Sequence, residues 1–250
     1  MEFKIKENER IDDLELNGLK IIQNKEYFCF GIDAVLLANF ASESKKNSIV
    51  MDLGTGTGII PLILSAKASF KKIIGVEIQE EVFDIAKRNV KLNKLDNLID
   101  LVNLNIKDLS EIYTKGTIDV ITTNPPYKEI GRGVINESEN KLISRHEVKA
   151  NLEDFIKVSS LMLKDKGTIY MVHKPERLVD ILCLMRKYKL EPKILKYVFS
   201  NKNSEPSLIL IKAVKNGKSF LKMEKNLYIY NKDGKYTEEL LDIYGKGSGK

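Results

Sequence analysis

The sequence of 250 residues predicts an α/β protein: a seven-stranded, mostly parallel sheet with an antiparallel hairpin at one edge and helices on both faces. Between residues 48 and 188, short apolar segments of strand length alternate with longer segments of helical pattern. Segments 193–199 and 206–214 then follow each other with no helical segment between them, which predicts the hairpin. Hydrophobic residues make up 43% of the chain and charged residues 30%, as expected for a folded protein.

The first 47 residues predict a hairpin followed by a helix. Asn17-Gly18 is a turn signal between alternating apolar positions. Residues 32–40 form an apolar helical segment, with Asp33 near its start, where a carboxylate suits the helix dipole.

The following residues supply the rest of the sheet and its helices. Strands are expected at 48–52, 72–77, 99–103, 118–123 and 167–172, and helices up to 68 and at 79–93, 152–163 and 175–188. The tail predicts another hairpin over 227–236 and a final short helix. We expect one domain, with an N-terminal extension (1–47), a core (48–215) and a basic C-terminal extension (216–250).

Composition excludes several classes of protein. The two cysteines, Cys29 and Cys183, argue against a disulfide scaffold and a cysteine-built zinc site, and the two histidines show no partner for a metal site. No apolar run has the length of a membrane span, and the charged start shows no secretory signal. These features predict a cytoplasmic protein without a metal, a membrane or an obligatory protein partner.

Positive charge is concentrated towards the end of the chain. The whole sequence has a net charge of +6, whereas residues 184–250 contain 15 Lys and Arg against 7 Asp and Glu. Such an excess is either a solvated surface or a face that binds a polyanion such as RNA.

A glycine-rich turn follows the first strand of the core. It contains Asp52, Gly54, Gly56 and Gly58. Ile59 and Pro61 stand where a dinucleotide-binding loop would place its third glycine, and the lysine of a triphosphate-binding loop is absent. The turn therefore does not fit a site for pyrophosphate or triphosphate.

The pattern D-x-G-x-G-x-G resembles the nucleoside-binding loop of class I S-adenosylmethionine-dependent methyltransferases. The resemblance implies S-adenosylmethionine as cofactor and a Rossmann-like fold. It also implies that Glu77, at the end of the next strand, accepts the ribose hydroxyl protons, and that Asp108 contacts adenine. Asp52 is expected to hold the loop or a bound water.

Asn124-Pro125-Pro126-Tyr127 follows the predicted strand 118–123. The two prolines make the turn rigid, and ligands of open α/β sheets bind at this edge. The segment is similar to the catalytic motif of methyltransferases that alkylate an exocyclic or amide nitrogen. In that chemistry the Asn124 side-chain oxygen and the Pro125 carbonyl accept the two N–H groups, and Tyr127 offers a ring on which a flat target stacks.

Further segments resemble the bacterial tRNA1(Val) adenine-N6 methyltransferase family. They are Glu9–Leu14, Ile21–Gln23, Phe28–Ala38, Arg145–Glu147 and Leu240–Gly245. The resemblance implies tRNA as the partner and adenine 37, beside the anticodon, as the target. It also implies that Asp33 closes over the cofactor. Lys128 departs from the family, where an aromatic residue often follows the tyrosine.

Three other functions stay open at this point. Glutamine-N5 methyltransferases share Asn-Pro-Pro-Tyr but place a helical recognition domain before the glycine loop. Ribosomal RNA guanine-N2 methyltransferases prefer another aromatic residue at the fourth position. A non-catalytic RNA-binding module would not need Asn124 to Tyr127.

Overall fold

The computed structural model describes residues 5–25, 30–127 and 150–246. The predicted α/β class is confirmed. The strands are β1 (Glu9–Asp13), β2 (Lys20–Asn24), β3 (Ile49–Leu53), β4 (Lys72–Glu77), β5 (Ile99–Asn103), β6 (Ile118–Thr123), β7 (Leu163–His173), β8 (Leu190–Phe199), β9 (Pro206–Lys215), β10 (Lys222–Met223) and β11 (Leu227–Tyr228). The helices are α1 (Ile32–Ser42), α2 (Ile59–Lys67), α3 (Glu80–Leu92), α4 (Leu109–Ile112), α5 (Leu152–Met162), α6 (Leu178–Lys187) and α7 (Glu238–Ile243), with 3₁₀ turns at Ile106–Asp108 and Pro175–Arg177.

The main sheet has the strand order β10-β8-β9-β7-β6-β3-β4-β5. Strands β3 to β7 pair in parallel, and β9 is antiparallel to both of its neighbours, β7 and β8, as the predicted hairpin requires. The predicted number of seven strands is too low. The seven long strands are joined by β10 and β11, which have two residues each and pair in parallel with β8.

The chain turns back within the predicted hairpin over 227–236, but the two arms pair over a shorter stretch than expected. The start of this segment joins β8 as β11, and only Tyr230 and Tyr236 form an antiparallel bridge. The free edge of β8 offers unpaired backbone groups, and the tail satisfies some of them in two short contacts.

Helices cover both faces of the sheet, as predicted. Because side chains of a strand alternate between faces, Val50 packs with α1 and α2, whereas its neighbour Met51 packs with α5 and α6. None of the helices among the described residues is long and apolar enough to cross a membrane.

The N-terminal hairpin of β1 and β2 is clamped to α3. The Asn89 side chain accepts from the Ile22 N–H at 2.6 Å and donates to the Ile22 carbonyl at 3.2 Å. The Arg88 guanidinium donates to both oxygens of the Glu9 carboxylate, at 2.7 and 2.5 Å. These two-point contacts hold the hairpin beside the glycine turn.

The parallel strands end together on one side of the sheet. We call this side the carboxyl edge and define it by the last residues of β3 to β7: Leu53, Glu77, Asn103, Thr123 and His173. The predicted site residues lie on or just beyond this edge.

Candidate active site

The side-chain oxygen of Asn124 is a buried acceptor without a partner in the described parts of the chain. Asn124 follows β6, and its Nδ2 donates to Asp33 Oδ2 at 3.0 Å. A carboxylate only accepts hydrogen bonds, so this contact fixes which end of the amide faces Asp33. The other end, Oδ1, is left to accept a hydrogen bond from a ligand, because a buried polar atom without a partner is costly.

Asp33 lies in the first turn of α1, where the helix dipole stabilises its charge. Its Oδ2 also accepts from the Tyr127 hydroxyl at 2.6 Å, and its Oδ1 accepts from the Ala34 N–H at 2.9 Å. A Cβ on Gly31 would lie only 2.8 Å from Oδ1, so this glycine leaves room for the carboxylate. Asp33 was expected to close over the cofactor, and the structure places it against Asn124 and Tyr127.

Tyr127 is held on several sides. Burial and the charge of Asp33 raise the pKa of its hydroxyl, which therefore stays protonated and donates to Asp33. The His173 ring meets the Tyr127 ring at a centroid distance of 5.2 Å and an angle of 67°. The Lys174 Nζ lies 5.4 Å from the Tyr127 centroid, within the range of a cation–π contact.

His173 is a site residue that sequence reasoning missed. It ends β7, next to β6, and its Nδ1 accepts from the Lys174 N–H at 2.8 Å. The proton of the neutral ring is therefore on Nε2, which is buried and has no partner in the described structure. Burial lowers the pKa of His173 to about 4. In the sequence, the one feature that could have indicated a role for His173 is its position at the end of a predicted strand.

The glycine turn has the geometry that its sequence predicts. Gly54, Gly56 and Gly58 have φ angles of +72°, +56° and +84°, in the region that favours glycine. A Cβ at Gly56 would meet nothing within 4 Å, so open space lies beside the backbone there. Asn89 donates to the Thr57 carbonyl at 2.9 Å and so joins the turn to the N-terminal hairpin.

The Glu77 carboxylate shapes this turn. It is buried, its Oε2 accepts from the Gly56 N–H at 3.0 Å, and its Oε1 accepts from the Gln79 N–H at 2.8 Å. Each oxygen keeps a further lone pair, because a carboxylate has about four acceptor sites. Glu77 can therefore hold the turn and still accept from a ligand.

Asp52 and Asp108 differ in their surroundings. Asp52 is fully buried, and its Oδ1 accepts from the Thr122 hydroxyl at 2.7 Å. Its Oδ2 has no partner among residues that the structure describes, and burial raises its pKa to about 6. Asp108 is exposed and ends the 3₁₀ turn after β5, close to the carboxyl edge.

The two buried groups predict opposite effects of pH on stability. Between about pH 6 and 4, the unfolded chain protonates His173 and the folded chain does not, so the folded state loses stability as the pH falls. Asp52 takes up its proton first in the folded state, so it adds stability over the same range. Shifts of about two pKa units correspond to roughly 3 kcal/mol each.

Urea unfolding between pH 7 and 4 separates these effects. Relative to the unsubstituted protein, Asp52→Asn should lose on the order of 3 kcal/mol as the pH falls, and His173→Gln should gain a similar amount. Parallel pH profiles for all three proteins would show that neither group titrates differently on folding.

Within residues 184–250, the excess of positive charge lies before residue 226. Residues 184–225 contain 11 Lys and Arg against 3 Asp and Glu, whereas residues 226–250 contain 4 of each. Lys215 pairs with Leu190 at the start of β8, so it lies at the end of the sheet opposite the carboxyl edge. Lys128, Arg132 and Arg145, the basic residues that follow the Asn124 turn in the sequence and could also contact RNA, lie outside the described residues.

Comparisons with known proteins indicate the family of the chain. The family model "Methyltransferase small domain" matches residues 31–187. A Porphyromonas gingivalis protein named tRNA1(Val) (adenine(37)-N6)-methyltransferase is 28% identical over 185 residues, which cover 72% of each chain. A Methanocaldococcus jannaschii protein that carries the name protein N5-glutamine methyltransferase is 37% identical over 114 residues, which cover 46% of this chain and 54% of its own.

Solved structures share the fold. The TYW2 protein of Methanocaldococcus jannaschii, solved in complex with AdoMet, superimposes with a TM-score of 0.58 at 16% identity. The match covers 85% of this chain and 88% of that one.

Proposed function

Because the chain belongs to the methyltransferase small domain family, we propose that it transfers the methyl group of S-adenosylmethionine to the N6 amino group of an adenine in tRNA. The target that we propose is adenine 37, beside the anticodon of tRNA(Val), as in the name of the Porphyromonas relative. The observation that carries the proposal is the buried, unpartnered Oδ1 of Asn124 at the carboxyl edge.

The residues of the Asn124 turn explain how a weak nucleophile can react. The lone pair of an exocyclic amino group is delocalised into its ring, so the nitrogen must be oriented and its developing positive charge stabilised. Asn124 Oδ1 and the Pro125 carbonyl accept one N–H each and direct the nitrogen lone pair away from the turn. Because the acceptors are fixed before the reaction, they need no reorganisation as charge develops.

Asp33 and His173 support this turn without touching the reacting nitrogen. Asp33 holds the Asn124 amide in the orientation that leaves Oδ1 free, at 3.0 Å from Nδ2. His173 packs against the Tyr127 ring as a neutral imidazole. Tyr127 then offers its remaining ring surface to the target base.

The glycine turn fits S-adenosylmethionine, which supplies an electrophilic methyl group when bound. The open space beside Gly56 admits a ligand close to the backbone. Glu77 would accept the ribose hydroxyls, Asp108 would approach the adenine, and Asp52 would hold the turn from beneath. Helix α2 begins directly after the turn, and no side-chain cap covers its start.

Glu77→Ala should weaken cofactor binding. The ribose hydroxyls lose their acceptor and the Gly56 N–H loses its partner, at a cost of about 1–3 kcal/mol for each unsatisfied group. We expect calorimetry to show a Kd for S-adenosylmethionine raised by roughly 10- to 100-fold, with RNA affinity unchanged. Glu77→Gln, which keeps one oxygen, serves as the conservative control. An unchanged Kd in Glu77→Ala would assign the ribose contact to another residue.

The second candidate is methylation of a glutamine side chain in a protein. A carboxamide nitrogen has the same two N–H groups and the same delocalised lone pair, so the Asn124 turn suits it as well. The relative with that name matches only 46% of this chain, whereas the Porphyromonas tRNA methyltransferase matches 72%. The longer match favours tRNA over a protein as the substrate. Intact Asn124 and Tyr127 favour catalysis over a non-catalytic role.

A transfer assay with radiolabelled S-adenosylmethionine separates the two candidates. The purified protein is incubated with unmodified total tRNA and, in parallel, with a tRNA-free protein fraction that contains peptide release factors. We expect label in the tRNA and background counts in the protein. Label in the protein alone would overturn the proposal in favour of glutamine. Asn124→Ala controls for transfer by a contaminating enzyme.

A further inference from the structure

Three tyrosines form a stack in the C-terminal segment. The rings of Tyr230 and Tyr236 have a centroid distance of 5.4 Å and an angle of 25°, and those of Tyr236 and Tyr244 have 6.3 Å and 7°. Tyr230 and Tyr236 are 41% and 46% exposed. We call these three residues the tyrosine stack.

The tyrosine stack lies on the same side of the sheet as Asn124. The backbone of β11 runs beside the last residues of β8, and the Tyr230 N–H continues this contact with a bond to the Ser200 carbonyl at 2.8 Å. Both β7 and β8 are antiparallel to β9, so β8 ends on the same side as β7, and these residues lie beside the carboxyl edge.

The inner end of the tyrosine stack is anchored on the helices that cover one face of the sheet. Lys67, the last residue of α2, donates to the Ile243 carbonyl at 2.6 Å, and Tyr244 packs against the core that contains α1. The stack therefore extends from solvent to the face of the sheet that is covered by α1, the helix that carries Asp33.

We propose that the tyrosine stack binds unpaired RNA nucleotides near the target base, with a flanking base stacking on the outer, exposed ring of Tyr230, which Tyr236 supports from behind. The inference rests on the proposed function and identifies a docking surface for its RNA. When the target base swings out of the RNA, the bases on either side of it lose a stacking partner. A tyrosine ring can take the place of the lost base, and it stacks on any of the four bases.

Charge at the same edge favours a nucleic acid as the occupant. Lys202, in the β8–β9 turn, and Lys232 and Lys235, in the turn between the two exposed tyrosines, are exposed. Lys174 lies over Tyr127 at the active site itself. Lysines next to aromatic rings are the combination that single-stranded RNA requires, since phosphates and bases alternate along it.

Photocrosslinking with an anticodon stem-loop tests the placement directly. 5-Iodouridine replaces the nucleotides flanking the target adenine one at a time, and the crosslinked residue is identified by mass spectrometry. We expect a crosslink to Tyr230 or Tyr236 from one flanking position. Binding of the RNA without a crosslink to the stack from any flanking position would overturn the proposal.

Substitutions measure the contribution to binding. The double variant Tyr230→Ala, Tyr236→Ala should raise the Kd for the stem-loop and the KM for tRNA by roughly 5- to 100-fold, with an unchanged KM for S-adenosylmethionine. Tyr236→Phe keeps the flat ring and should bind as the unsubstituted protein does. Phe220→Ala is the matched control, because Phe220 is 77% exposed and precedes β10, whose partner residues lie earlier on β8 than those of β11.

The possible results distinguish a failure of the proposed docking surface from a failure of the proposed function. If the unsubstituted protein methylates tRNA and the double variant keeps its Kd and KM, the stack is not a docking surface although the proposed function stands. If the unsubstituted protein labels only protein, the proposed function fails and the RNA surface fails with it. An equal loss in Tyr236→Phe and the double variant would also contradict a role in stacking.

Discussion

Asn124→Ala should lower the turnover of the enzyme by about 10²–10³-fold, the usual cost of removing one fixed acceptor or donor at a reacting group. The side-chain oxygen of Asn124 is buried and without a partner in the described structure, so a target amino group is the natural donor to it. Single-turnover transfer to tRNA measures the effect, and calorimetry with S-adenosylmethionine shows whether cofactor binding is retained. A variant with more than about half of the original turnover would exclude this mechanism.

Asn124→Asp tests the orientation of the amide. The aspartate keeps an acceptor oxygen but places its second oxygen where Nδ2 lies, 3.0 Å from Asp33 Oδ2. Two carboxylates at that distance share a proton, and the pKa of one of them rises. We expect partial activity that increases as the pH is lowered, whereas the unsubstituted enzyme should show no such increase. Identical pH profiles would indicate that Asp33 and Asn124 are not in contact during turnover.

Asp33→Ala should reduce turnover by about 10²-fold, because a small misplacement of a catalytic group has an effect of that size. The Asn124 amide and the Tyr127 hydroxyl both donate to Asp33, and both lose their acceptor in this variant. Asp33 acts as a positioning residue, so the loss should appear in kcat more than in the KM for S-adenosylmethionine.

The isosteric variant Asp33→Asn separates positioning from stability. Its amide oxygen still accepts one of the two donors, so we expect activity between that of Asp33→Ala and the unsubstituted enzyme. Thermal unfolding controls for a general loss of structure. A raised KM for the cofactor with unchanged kcat in Asp33→Ala would instead support the original expectation that Asp33 closes over the cofactor.

Much of the fold is encoded locally. The bounds of β4, β5 and β6 agree with the predicted 72–77, 99–103 and 118–123, because each is a short, largely apolar segment between polar breaks. The two-residue strands β10 and β11 could not be predicted. Their pairing depends on the free edge of β8, which is a property of the sheet and not of the tail sequence.

The sequence predicted the types of residue at the candidate site better than it predicted the contacts between them. Asn124 and Asp33 are 91 positions apart, so no spacing rule links them. The sequence marks His173 only as one of two histidines. Its contact with Tyr127 could not be predicted, because that contact depends on the pairing of β7 with β6. Counting charges along the sequence also could not show that Lys215 lies away from the carboxyl edge. The position of Lys215 follows from the direction of its strand in the sheet.

Identification of the methylated nucleoside tests the proposed function most directly. Unmodified tRNA(Val) is incubated with the protein and S-adenosylmethionine, digested to nucleosides and to oligonucleotides, and analysed by mass spectrometry. The proposed function predicts N6-methyladenosine at position 37, and its absence from tRNA treated with Asn124→Ala. Methylguanosine in the RNA, or methylglutamine in a protein with no modified adenosine, would contradict it.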